Sequence, residues 1–168
     1  MEIWDVLDKN GQPTGQTVVR GVHRPADQFH LVVHVWIKNS EGKYLITKRT
    51  PNKTHPNLWH TTGGSAISGD DSLKTALKET SEEIGLKLDA NKGKHLFRKS
   101  YPARETHHIS HHTDVWFFEQ DANIQDLIYA PDEVSDAKWA TESEIRQMIK
   151  DKTFVEDIYD YLDELFKL

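Results

Sequence analysis

Residues 64 to 86 read GSAISGDDSLKTALKETSEEIGL, and the pattern of this stretch decides what fold must surround it. Leu73, Ala76, Leu77 and Ile84 recur at helical spacing and Gly85 stands at the C-terminal cap position, so the spacing predicts a helix over 71–84. Glu79, Glu82 and Glu83 lie at i, i+3 and i+4, which places them within roughly 100° of arc on one helix face. The apolar positions fall largely on another side. Three neighbouring carboxylates repel one another, and near the helix C-terminus the dipole disfavours them further. A cation relieves both penalties, and hard oxygen ligands select magnesium or manganese over soft metals. Upstream, Gly63-Gly64 lets the backbone approach a ligand closely, and a loop carrying Ser65, Ser68, Gly69 and Asp70 leads into the helix. A glycine loop feeding a carboxylate-rich helix makes a candidate diphosphate–metal site. The competing reading is a solvated acidic helix face after a tight turn.

Outward from this stretch, strands and helices alternate. Toward the N-terminus, Ile3–Leu7 and Thr17–Val19 read as strands joined through the hairpin dipeptide Asn10-Gly11. His30 to Ile37 (HLVVHVWI) is apolar on both faces, as a central strand is, and Tyr44 to Lys48 returns after the turn Asn39–Gly42. A proline-containing loop, 50–56, precedes a short strand at Leu58–Thr62. Toward the C-terminus, strands are expected at Leu96–Tyr101, Thr113–Glu119 and Asp136–Ala140. Thr141 and Glu144 form a capping-box pattern for a helix over 142–150. A terminal amphipathic helix over 154–167 follows, with Ile158, Tyr161, Leu162 and Leu165 on one face. Trp36, Trp59, Trp116 and Trp139 read as core or sheet-packing residues. The expected fold class is α/β, with helices layered on a mixed sheet.

The 168 residues fit one domain spanning 1–168, which needs no disulfide or structural metal to fold. With no cysteine, thiol catalysis, Cys-ligated zinc and disulfides are excluded. A formal net charge of −6 does not suit a nucleic-acid backbone or an anionic membrane. The longest apolar stretch, 31–37, is far short of the ~20 residues of a spanning helix, and the N-terminus carries no basic or apolar leader. The expectation is therefore a soluble, cytoplasmic protein with no nucleic-acid polymer and no membrane among its partners. A homodimer is left open.

With those residues quoted, the stretch 64–86 resembles the box of the Nudix family, G-x5-E-x7-R-E-U-x-E-E-x-G-U, where U is aliphatic. Gly64, Glu79, Glu82, Glu83, Gly85 and Leu86 match. Asp70 stands where Glu is usual, Lys78 where Arg is usual, and Thr80 where the first aliphatic residue is usual. The resemblance covers roughly 28–150. It implies a Nudix α/β/α sandwich with a mixed β-sheet and the box as loop-helix-loop. It also implies a Mg2+-dependent hydrolase of a nucleoside diphosphate linked to another group, with Mn2+ as the alternative ion. Glu79, Glu82 and Glu83 become metal ligands, assisted by a backbone carbonyl at Gly63–Gly64. A carboxylate takes the proton of the attacking water; Glu82 is the first choice and Glu133 the second. Lys78 takes the place of the arginine that orients a catalytic glutamate, offering a point charge where Arg offers a bidentate fork. Within such a site the expected catalytic residues are Glu82, Glu79 and Lys78.

The N-terminal half resembles a second branch of the same fold, the type 1 isopentenyl-diphosphate isomerases. His23 and His30 have the spacing of two metal-binding histidines of that branch, and Arg49 and Lys53 match its diphosphate-contacting pair. The branch's catalytic cysteine, however, is Gly63 here, and its third metal histidine is Ser65. The alternatives to a hydrolase are thus an isomerase-like protein or a non-catalytic nucleotide-binding module. His30 and His34 also fit simple strand packing, and Arg49 and Lys53 fit solvated loop charges. Five of the ten histidines lie between His95 and His112; His108, Ser110 and His112 would share one strand face, either as a metal or phosphate contact or as a solvated strand end. Tyr101-Pro102 lies near a place where some branches carry substrate marks, but out of register, so the substrate stays open.

Overall fold

The computed structural model describes residues 1–104, 109–155 and 160–168. In chain order the elements are β1 (Ile3–Leu7), β2 (Pro13–Val19), β3 (His30–Lys38), β4 (Tyr44–Arg49), β5 (Trp59–His60), β6 (Thr62–Ser65), α1 (Ser72–Ile84), β7 (Lys94–Tyr101), β8 (His111–Glu119), β9 (Val134–Ala140), α2 (Glu142–Lys150) and α3 (Leu162–Leu165). β1 and β2 form a hairpin. The other seven strands form one sheet with the path β5-β4-β3-β8-β7, in which β6 joins β3 and β9 joins β4. This is the mixed α/β class the sequence calls for, with the box forming a loop followed by a helix. The chain groups into two compact units, one of residues 1–35, 63–79 and 89–117, the other of residues 36–62, 80–88 and 118–168.

The first unit is organised by the hairpin and by the pairing of β7 with β8. The Asn10-Gly11 turn closes with the Gly11 amide donating to the Asp8 carbonyl (3.0 Å), while the Asp8 side chain accepts from the Asn10 and Gln12 amides. Trp4, Val6, Leu7, Phe29, Val33, Val35 and Val115 supply its apolar core. Across β7 and β8, Arg98 lies opposite Asp114 and forks onto it, Nε to Oδ1 at 2.6 Å and Nη2 to Oδ2 at 2.8 Å. Burial alone would raise the Asp114 carboxyl, but hydrogen bonds from Arg98 and Ser72 and the Arg98 charge outweigh it and hold it below the usual range. Ser72 also accepts from the Trp116 indole at 2.8 Å, which pins the start of α1 to β8.

In the second unit, β4 is the hub: it pairs antiparallel with β9 from Tyr44↔Ala140 to Arg49↔Val134, and with β5 on its other edge. Trp36 is fully buried, donates to the Tyr161 hydroxyl at 3.0 Å and stacks 6.4 Å from Phe154. The expected capping box of α2 is present, with Thr141 Oγ1 accepting from the Glu144 amide and Glu144 accepting from the Thr141 amide at 2.7 Å.

Several expectations change. Of the four tryptophans read as core or sheet-packing residues, Trp36 is buried in the core and the other three, half-buried, stand on sheet strands: Trp59 on β5, Trp116 on β8 and Trp139 on β9. Trp59 is half-buried between the ammonium groups of Lys48 and Lys138, at 5.8 and 4.5 Å from its ring. Trp116 and Trp139 are half-buried, and their indole N–H groups donate to Ser72 Oγ and to the Ala122 carbonyl. The terminal helix does not begin at Phe154, which makes an isolated parallel bridge with Trp59; among the described residues of this segment Leu162–Leu165 is helical, and residues 156–159, including Ile158, lie outside the described residues. The histidine-rich strand end is not solvated at its near side. His112 is buried, held by Ser100 Oγ at 2.8 Å and the Asp8 carbonyl at 2.8 Å, and Ser110 is buried with its hydroxyl bonded to the Ala26 carbonyl. His107 and His108 lie outside the described residues.

His30 also resolves toward packing. Its ring stacks on Trp4 at 4.2 Å with 6° between planes. Burial, aided by the nearby Arg24 charge, drives its pKa down to about 3. An unfolded histidine titrates near 6.5, so the unfolded state binds the extra proton first as pH falls. Stability from this residue is complete above pH ~6.5 and is lost toward pH ~3, at up to about 1.4 kcal/mol per pH unit. Urea denaturation from pH 7 to pH 4 is expected to show this slope, and His30→Gln to show a shallower one; parallel slopes would refute the assignment.

Candidate active site

Helix α1 starts where the sequence places it. The Asp71 carboxylate accepts from the Lys74 amide at 2.8 Å, an N-cap, and Gly85 ends the helix with a left-handed φ of 69°. The buried stripe differs from the expected one. Ala76, Thr80, Glu83 and Ile84 are buried, whereas Leu73 and Leu77 are half-buried. Thr80, which replaces an aliphatic residue of the box pattern, is therefore fully packed. The three glutamates straddle the edge of this stripe: Glu82 is exposed, Glu79 half-buried and Glu83 only 5% exposed. A solvated acidic face would expose all three. Burying a carboxylate costs several kcal/mol unless something compensates it, as an order of magnitude. The chain beyond the helix docks onto this end, with the Ala130 amide on the Glu83 carbonyl (2.9 Å) and the Ile128 amide on the Ile84 carbonyl (3.0 Å).

Upstream, the glycine pair leaves no room for side chains. A Cβ at Gly64 would fall within the Glu79 carboxylate, so backbone and carboxylate are in direct apposition. A Cβ at Gly63 would strike the backbone carbonyl oxygen of Val33. The same line of contact continues at Ala66, whose amide donates to the Leu31 carbonyl at 2.9 Å.

The box departures form a group of their own. Asp70, with 7% of its side chain exposed, pairs with Lys74 at 2.6 Å, while Lys78 lies 3.9 Å from it. Lys78 thus faces the shortened acid of the loop, with Lys74 the closer partner. Lys74 was not among the residues singled out from sequence, although its i+4 spacing from Asp70 was readable. In the second unit, Lys53 forms an ion pair with Glu133 at 2.6 Å, joining an expected substrate contact to the second-choice base. Arg49 turns into its own loop, Nε to the Thr54 carbonyl at 2.6 Å and Nη2 to Thr54 Oγ1 at 3.1 Å. Of the isomerase-like histidine pair, His23 is exposed and His30 is packed on Trp4. Among the described residues, no three His, Asp or Glu side chains converge as a ready metal cage. The donors of α1 are nonetheless right in kind for a hard cation: three carboxylates on one helix and a glycine backbone against the first of them.

The chain as a whole is similar to proteins of one family. The NUDIX domain model matches residues 28–165. An uncharacterized Nudix hydrolase of Listeria monocytogenes is 35% identical over 170 residues, covering 100% of this chain and 95% of the relative. An isopentenyl-diphosphate Delta-isomerase of Brevibacterium linens is 27% identical over 155 residues, covering 89% of this chain and 82% of that enzyme. Among solved structures, DR0079 of Deinococcus radiodurans superposes with a TM-score of 0.74 at 24% identity, over 99% of this chain and 98% of that one. With the three box glutamates on α1, the family model matching residues 28–165 and a Nudix relative 35% identical over the full chain, this protein belongs to the Nudix family.

Proposed function

We propose that this protein hydrolyses a diphosphate linkage in a nucleoside diphosphate bound to another group, with Mg2+ as cofactor and Mn2+ able to replace it. The observation that carries the reading is Glu83, a carboxylate buried on the same helix as exposed Glu82 and glycine-backed Glu79. The Listeria relative, named a Nudix hydrolase, supports it. Glu79, Glu82, Glu83 and the Gly64 backbone would hold the cation. When bound, such a cation neutralises phosphate charge and lowers the pKa of the attacking water. Glu82, the exposed member, accepts the proton of that water. Lys53 and Arg49 meet the diphosphate oxygens, and Lys53 brings Glu133 with it. Lys78 holds the box loop through Asp70. No helix among the described residues is long and apolar enough to cross a membrane.

The isomerase alternative is disfavoured by one contact. The place of that branch's cysteine is Gly63, where any Cβ meets the Val33 carbonyl.

Phosphate or monophosphate release from a panel of nucleoside diphosphate conjugates tests the proposal. Glu82→Gln and Glu83→Gln are each expected to lower turnover by ~10² or more; two variants at the wild-type rate would sink it. Chelation by EDTA is expected to abolish turnover and added Mg2+ to restore it, whereas metal-independent release would remove the cation from the scheme. Gly63→Cys is expected to unfold at lower urea, with a loss of roughly 2 kcal/mol or more from backbone displacement, and to form no dimethylallyl diphosphate. A stable, isomerising variant would favour the other branch.

A further inference from the structure

From Gly21 to Asp27 the chain is an exposed loop with one inward residue, Arg24, which is 6% exposed. Its neighbours Val22, His23 and Pro25 all face solvent. A buried guanidinium normally meets a carboxylate, because an uncompensated charge in the interior is costly. Arg24 meets none among the described residues. Nη2 donates to the Ser110 carbonyl at 3.0 Å and contacts His30 Nδ1. His30, with its pKa near 3, is a neutral ring at physiological pH, so both partners are uncharged. Burial correspondingly lowers the pKa of the guanidinium itself.

Two buried donors in the same place lack an acceptor: Arg24 Nε and the Trp4 indole Nε1. The two side chains are neighbours, with the Arg24 guanidinium carbon 5.4 Å from the centre of the Trp4 ring. Arg20 adds a second cation 5.9 Å from the same ring, although it also pairs with Glu2 at 2.8 Å. Buried N–H groups without acceptors are rare in folded proteins, and each costs roughly 1–3 kcal/mol. Two of them beside an unpaired cation, under a loop only one side chain deep, have the chemistry of an oxyanion site. Arginine is the residue best suited to hold a phosphoryl oxygen away from water.

We propose that Arg24 and Trp4 form an anion site for a phosphoryl group, separate from the carboxylates of α1 and needing no metal. Trp4 Nε1 and Arg24 Nε donate to its oxygens, and the Arg24 charge is neutralised on binding. Trp4 is held in place by its stack on His30, and Arg24 by the Ser110 carbonyl. The group comes either from inorganic phosphate or from the phosphate of a nucleotide.

The experiment keeps EDTA present throughout, so that the cation site on α1 is silent and failure of the hydrolase reading does not bear on the outcome. Inorganic phosphate is titrated into the full-length protein by calorimetry, and the melting temperature is followed in parallel. The wild type is expected to bind saturably and to melt higher with phosphate than with chloride at equal ionic strength. Arg24→Met is expected to lose both responses. Trp4→Phe keeps the ring and removes one donor, and is expected to bind roughly five- to tenfold more weakly, the cost of one hydrogen bond to a charged group; it tests the site even where Arg24→Met does not fold. A nucleoside monophosphate that displaces inorganic phosphate assigns the site to a nucleotide, and phosphate binding without such competition assigns it to the free ion. Wild-type protein indifferent to phosphate, or variants that respond as the wild type does, would overturn the proposal.

Discussion

The structure depends on a close approach that only two adjacent glycines permit. Gly63 lies so near the Val33 carbonyl, and Gly64 so near the Glu79 carboxylate, that neither position has space for a single extra carbon. One glycine sets the distance between β6 and β3, and the next sets the distance between β6 and α1. A side chain at Gly63 would push backbone against backbone, which no rotamer change relieves. A side chain at Gly64 would displace only a carboxylate. The first glycine is therefore a requirement of the fold and the second a requirement of the site. Polar backbone facing a carboxylate is a poor packing surface by itself, because neither partner gains from dehydration. The arrangement makes sense where a third, cationic partner supplies the attraction.

The departures from the family box are easier to understand as one set than as three losses. Asp70 is one methylene shorter than the usual glutamate, so it reaches less far along α1. Lys74, one turn into the helix, meets it at 2.6 Å, and Lys78 stays at 3.9 Å. A lysine cannot reproduce the two-pronged hold of an arginine, but two lysines on successive turns surround a carboxylate from two directions. The pair with the exposed Lys74 adds little energy alone, since its ammonium is mostly in water. Its effect is positional: it keeps a nearly buried acid at the mouth of the loop. Thr80 follows similar logic, since it is fully buried, as Ala76 and Ile84 are, where an aliphatic residue is usual.

Much of this was legible in the sequence because it is local. The helix over 71–84, its glycine stop, the capping box at Thr141 and the β3–β4 hairpin all follow from spacing within a few residues, and the structure has them. What was not legible depends on contacts far along the chain. The burial of Glu83 follows from how α1 is rotated, and a helical wheel that weighs Leu73 and Leu77 equally with Ala76 points the helix differently. His112 reads as a surface histidine until Asp8, more than a hundred residues away, supplies its acceptor. Lys53 and Glu133 are separated by 80 positions, and no pattern in either segment announces their pairing. Trp59 has the composition of a core residue, but its place on β5 at the sheet edge leaves its ring open to Lys48 and Lys138.

The charge balance acquires a different meaning from this geometry. A formal charge of −6 repels a phosphate ligand at long range, by an amount that salt screens within about 10 Å. Attraction must then be short-ranged and built from particular groups. Under the proposed function the glutamates of α1 achieve this through a borrowed positive charge. At the proposed Arg24 site no intermediary is needed, because the charge is already buried and its partners among the described residues, Ser110 and His30, are neutral. If His30 were protonated it would add a second charge beside the guanidinium, and the close contact between them would become repulsive. The stack on Trp4 and the depth of burial keep the imidazole neutral. The same residue that the sequence offers as a metal ligand is thus, in this fold, a neutral partner of a buried guanidinium.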